Sequence, residues 1–153
     1  MTETIAGKIE RFYNQNPLAQ MVAKPLKEGA VAEVQFEGDP DSYMMIKEGG
    51  RSVFRKGKPK SPQIYMKYSA GAVEYLMEIQ GEDKQALEEY ITRFSECILS
   101  PGGGRKIEFK LCTNVLTGAR MGYFGMMLLG GRKAIGLVTK LGVKIPRQYL
   151  KKG

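Results

Sequence analysis

Histidine is absent from the whole 153-residue chain. That removes the commonest general base and the commonest metal ligand. Serine–histidine and cysteine–histidine nucleophiles are excluded with it. Cysteine occurs only twice, at Cys97 and Cys112. Two cysteines make no disulfide framework, and their spacing fits neither a metal site nor a redox pair. Both read as small core residues. No apolar run approaches the roughly 20 residues that span a bilayer. The N-terminus lacks a charged-then-apolar leader pattern, so a cytoplasmic location is expected. Internal repeats and low-complexity segments are also missing.

Acidic residues are scarce in one part of the chain. Residues 1–100 hold 13 Lys and Arg against 15 Asp and Glu, a net charge of −2. Residues 101–153 hold 11 basic residues against Glu108 alone, a net charge of +10. The overall +8 therefore belongs to the last third. A basic region that is also apolar points to an anionic membrane surface or an acidic amphiphile. It suits nucleic acid less well, since that partner calls for basic residues interleaved with exposed aromatics.

The apolar character of that third is concentrated between Arg120 and Arg132. The eleven intervening residues carry no charge, and Tyr123 has their only polar side-chain atom. Phe124, Met126, Met127, Leu128 and Leu129 each contribute about 1.5–3 kcal/mol when buried. Something must cover them: the protein's own core, a bound apolar ligand or a membrane surface. The reading adopted is a helix that helps wall an apolar ligand site, with a plain core helix as the alternative. Gly118, Gly122 and Gly125 recur at i, i+4 and i+7, one face of a helix. Three glycines there imply that another element or a ligand packs very close to the backbone.

The remaining periodicities give an order of elements. Ile5, Ile9 and Phe12 mark an N-terminal helix, and Leu18, Met21 and Val22 a short second turn ending near Pro25. Ala32, Val34 and Phe36 alternate with polar neighbours, as a half-buried strand does. Strands are predicted near 31–37, 42–47, 51–55, 63–68 and 106–112, with a tight hairpin at Gly49–Gly50. Ser69 is placed to cap a helix whose buried face holds Val73, Leu76 and Met77. Leu87, Tyr90, Ile91, Phe94 and Ile98 follow the 3.6-residue period in the clearest helix of the chain. A last helix sets Ala134, Leu137, Val138 and Leu141 opposite Lys133, Lys140 and Lys144. The layout is α+β in one domain: an N-terminal helical segment (2–26), a sheet with helices (30–142) and a basic tail (143–153). The sheet is expected to be five-stranded and antiparallel, or mixed at one edge, with helices layered on one face.

Three motifs carry less than they first suggest. Gly102–Gly103–Gly104–Arg105–Lys106 lacks the spacing of a phosphate loop and runs into a strand, so it reads as a flexible connection. Arg55, Lys56, Lys58 and Lys60 read as a solvated loop. Glu88, Glu89 and Glu96 read as an exposed helix face and not as paired catalytic carboxylates.

The run from Val31 to Met77 resembles the sterol carrier protein type two family. The resemblance rests on Ala32–Glu33–Val34–Gln35–Phe36, Tyr43–Met44–Met45–Ile46, Ser52–Val53–Phe54 and Gln63–Ile64–Tyr65–Met66–Lys67–Tyr68. A helix beginning at Ser69–Ala70–Gly71–Ala72–Val73–Glu74–Tyr75–Leu76 follows directly, and Gly136 to Leu141 resembles the family's closing segment. The acidic helix from Asp83 to Leu99 reads as an insertion, and residues 113–131 run longer than is usual there. The resemblance implies a five-stranded sheet under helices, with an apolar tunnel for acyl chains, acyl-CoA or sterols and neither catalysis nor cofactor.

Together these readings predict a non-catalytic, cofactor-free carrier of a lipid or other apolar molecule. Its cavity, of at least roughly 300 Å³, is expected to draw on Leu76, Tyr90, Phe94, Tyr123, Phe124, Met127 and Leu128. Arg132, Lys133, Lys140 and Lys144 are the expected contacts to a membrane or another anion, and no metal site is expected. The alternative is a basic nucleic-acid-associated or protein-interaction module with a close-packed core.

Overall fold

The computed structural model describes residues 4–122 together with Gly125 and Met126. The N-terminal helix α1 (Ile5–Gln15) starts where the Thr4 hydroxyl accepts from the Gly7 amide. It buries Ala6, Ile9, Phe12 and Tyr13. Asn16 ends α1 in an extended conformation and caps α2 (Pro17–Ala23) through its side chain, with Pro17 at the first helical position, where proline's missing N–H costs nothing.

The sheet comprises β1 (Val31–Phe36), β2 (Tyr43–Glu48), β3 (Arg51–Lys56), β4 (Ile64–Tyr68) and β5 (Ile107–Leu111). Their spatial order is β3-β2-β1-β4-β5. Three neighbouring pairs are antiparallel, but β1 and β4 run parallel with Val34 opposite Met66. The sheet is therefore mixed at its centre and not at an edge. Two hairpin steps leave β3 running in the direction of β1, and the connection at 57–63 carries the chain back before β4 begins. Side-chain alternation has no direction, so it could not reveal this.

One face of the sheet carries Val34, Phe36, Phe54, Ile64, Met66, Tyr68 and Ile107 into the core. Against it pack α1, α2, α3 (Ala70–Met77) and α4 (Lys84–Leu99). Ser69 caps α3 and Asp83 caps α4, each by accepting from the amide three residues on. Among the described residues no helix is long and apolar enough to cross a membrane.

Two local expectations change. The glycine-rich connection at 102–105 is a tight turn, closed by an Arg105 amide bond to the Gly102 carbonyl and locked onto α3. A side chain at Gly71 would collide with the Gly104 carbonyl, so the turn lies directly on the helix backbone. Cys97 is buried as expected, but Cys112 is exposed just beyond β5.

Candidate functional site

Helix α5 (Val115–Arg120) begins at Asn114, whose side-chain oxygen accepts from the Thr117 amide. The helix expected to run on from Arg120 is interrupted at Gly122. Gly122 has φ +92°, in the region that favours glycine, and any side chain there would collide with the Pro25 carbonyl. Gly125 also lies against Pro25, and Lys27 donates its amide to the Met121 carbonyl at 2.8 Å. The glycines do mark a close approach, and what approaches at 122 and 125 is the chain's own segment after α2. Met121 and Met126 are half-buried and packed against the core.

Beside this segment lies an apolar cavity of about 40 Å³. Val22, Ala23 and Leu26 line it from α2 and the residues after it. Ala32, Met45, Ile64, Met66 and Phe109 line it from the sheet. Tyr13 of α1, Tyr90 and Phe94 of α4, and Met126 complete the lining. No charged side chain is among them. The volume can hold a water or the end of a chain, but not the roughly 300 Å³ of an ordinary ligand pocket. The expected cavity is thus in its expected layer, between sheet and helices, but nearly closed.

Two of the lining residues, Tyr13 and Tyr90, carry hydroxyls, which share a hydrogen bond of 2.7 Å. The Tyr68 hydroxyl adjoins Tyr13 and has the Met66 sulfur as its own acceptor at 3.8 Å. Burial pushes the pKa of all three phenols up, so they are neutral hydrogen-bonding groups at physiological pH. Phe12 and Phe94 stack on either side of Tyr90, with ring centroids at 5.4 and 6.5 Å. Burial likewise raises the Cys97 thiol to about 11, which leaves it a poor nucleophile.

Of the residues expected at the site, Tyr90 and Phe94 meet in this cavity. Leu76 is buried but belongs to a different place: an open cleft of about 670 Å³ bounded by Lys8, Arg11, Phe12, Glu74 and Met77. Tyr123, Phe124, Met127 and Leu128 lie outside the described residues, as do Arg132, Lys133, Lys140 and Lys144. Sequence reasoning missed the other lining residues, Tyr13, Met45 and Phe109 among them. Tyr13 could have been found, since it stands at i+8 from Ile5 on the same helical stripe. Of the cations expected in a solvated loop, Arg55 and Lys56 lie at the end of β3, and each is solvated and paired, Arg55 with Glu48 at 3.2 Å and Lys56 with Asp41 at 3.1 Å. Among the described residues no group of three or more Cys, Asp or Glu could hold a metal ion.

No family model matches the chain, and no curated protein matches it. Among solved structures it is similar to one titled "UbiJ-SCP2 Ubiquinone synthesis protein", at 13% identity and a TM-score of 0.41. The likeness covers 80% of this chain and 87% of that one.

Proposed function

We infer that the chain is a non-catalytic binding or carrier module for an apolar molecule held between the sheet and the helices α2 and α4. The observation that carries this reading is the cavity lining: twelve residues, none charged, drawn from both layers of the fold. Three are methionines, Met45, Met66 and Met126, whose unbranched side chains repack around different occupants. Binding requires the void to grow, and Met126, like Leu26, belongs to the part of the lining outside α1–α4 and the sheet. Displacement of Met126 opens the site. In that state Tyr123, Phe124, Met127 and Leu128 share the ligand with Tyr90 and Phe94. The basic residues Arg132, Lys133, Lys140 and Lys144 then give the carrier a reversible hold on an anionic membrane.

The decisive experiment is organic extraction of the protein purified without detergent, followed by mass spectrometry, with the absorbance ratio of the same sample measured first. An extracted amphiphile in near-stoichiometric amount supports the reading. Co-purifying nucleic acid with an empty extract favours the alternative, in which the net charge of +10 in residues 101–153 serves a polyanion.

A further inference from the structure

We propose that the molecule held in this cavity carries a neutral hydrogen-bonding group, a hydroxyl or carbonyl, received by the Tyr13–Tyr90 hydroxyl pair. This rests on the binding reading above and specifies the ligand's chemistry.

The two tyrosines stand 77 residues apart in sequence, yet their hydroxyls are 2.7 Å apart and fully enclosed. Among the described residues they are the only lining side chains with a polar oxygen or nitrogen. Each phenol has one hydrogen to donate and lone pairs to accept with. The Tyr13–Tyr90 pair brings two hydroxyl hydrogens to one oxygen-to-oxygen bond, in which either hydroxyl can donate. One hydrogen of the pair is therefore left over from that bond. A ligand oxygen arriving beside the pair gives it an acceptor, because the pair can reverse its donor direction without moving a heavy atom.

The same surroundings disfavour an ionised head. A carboxylate or phosphate placed among these residues would lose its hydration and meet no cation in the lining. The buried ammonium of Lys47 donates to the Ala23 carbonyl at 2.9 Å and is not part of the lining. The phenols cannot supply charge either, since burial holds them protonated. A hydroxyl or carbonyl needs only what the tyrosine pair offers.

The test presents three probes of one chain length, hexadecane, cetyl alcohol and palmitic acid, to the full-length protein from a cyclodextrin carrier. Retention is read by extraction after gel filtration. Cetyl alcohol should be held about tenfold better than hexadecane, the worth of one buried hydrogen bond, and better than palmitic acid, whose ionised head meets no cation in the lining. Tyr90→Phe and Tyr13→Phe should each erase most of the alcohol's advantage and leave hexadecane unchanged. Palmitic acid held as well as the alcohol overturns the proposal while leaving the binding reading intact, as does alcohol binding indifferent to both substitutions. Palmitic acid retention abolished by Lys47→Met overturns it in favour of that ammonium. Retention of none of the three probes overturns both. Should either variant fail to fold, the ratio of alcohol to acid on the wild-type chain decides by itself.

Discussion

The Ser69 hydroxyl donates to the Gly104 carbonyl at 2.6 Å and so ties the start of α3 to the turn that leads into β5, 35 residues later in the chain. The same oxygen accepts from the Ala72 amide at 3.2 Å and from the Lys106 amide at 2.9 Å. One side chain thus caps a helix, fixes a turn and sets the entry to an edge strand.

Ser69→Ala should therefore cost more than an ordinary helix cap. A lost cap is worth about 1 kcal/mol, and the two other groups left without their partner raise the expected cost to about 2–4 kcal/mol. Urea unfolding would measure it, and Ser69→Thr should recover most of the loss. A loss no larger than about 0.5 kcal/mol would mean that water replaces the hydroxyl.

A second pair of side chains protects the free edge of the sheet. Asn14 pairs through its amide with both backbone groups of Phe54, at 2.9 and 3.0 Å. Gln20 does the same for Ser52, at 3.0 and 3.1 Å. Unpaired edge groups invite strand addition from another chain. The double variant Asn14→Ala with Gln20→Ala should lower stability by about 2–4 kcal/mol and raise self-association. Light scattering below the melting temperature checks the second effect, and a variant that stays as monodisperse as the wild type would contradict it.

Stability should fall on the alkaline side. Burial, then the hydrogen bond and charge of Asp39, raise Tyr43 from 10.0 to about 12. Burial raises Tyr13, Tyr68 and Tyr90 as well. A phenol whose folded pKa lies above its unfolded one contributes fully below pH 10 and loses that contribution as pH climbs toward 12. Denaturation midpoints should be flat below pH 9 to 10 by this reasoning and drop above it, with phenolate absorbance rising together with loss of structure. Phenols that titrate near 10 in the intact fold would count against their burial.

The membrane contact has its own test in vesicle co-sedimentation. Binding is expected to anionic but not neutral vesicles, weakening as salt rises, at about 1 kcal/mol for each engaged Lys or Arg. Lys133→Glu with Lys140→Glu should remove most of it. Equal binding to both vesicle types, or none to either, would assign the basic segment to another partner.

Much of the fold was legible because its signals are local. The alternation of Ala32, Val34 and Phe36 matches a strand whose inner residues are those three. The stripe Leu87, Tyr90, Ile91 and Phe94 is buried as its spacing implies. The site was legible only in part. Tyr90 and Phe94 were found from their own helix, but Met45 and Phe109 come from strands β2 and β5, which are never adjacent in the sheet. The uncharged run after Arg120 announced a covered segment without saying what would cover it.

By itself the sequence determined the five strands, the helices α1 to α4, where Ser69 begins a helix, and the concentration of positive charge in residues 101–153. Each depends on the spacing or composition of near neighbours, which a chain carries whether folded or not. The tertiary structure alone decided that β1 and β4 run parallel, that Asn14 and Gln20 close the edge at β3, and that Gly122 yields to the Pro25 carbonyl. It also decided that Tyr13 meets Tyr90 and that the void beside them is small. These depend on the direction in which each connection returns and on how closely distant side chains pack, and periodicity along one segment holds neither quantity.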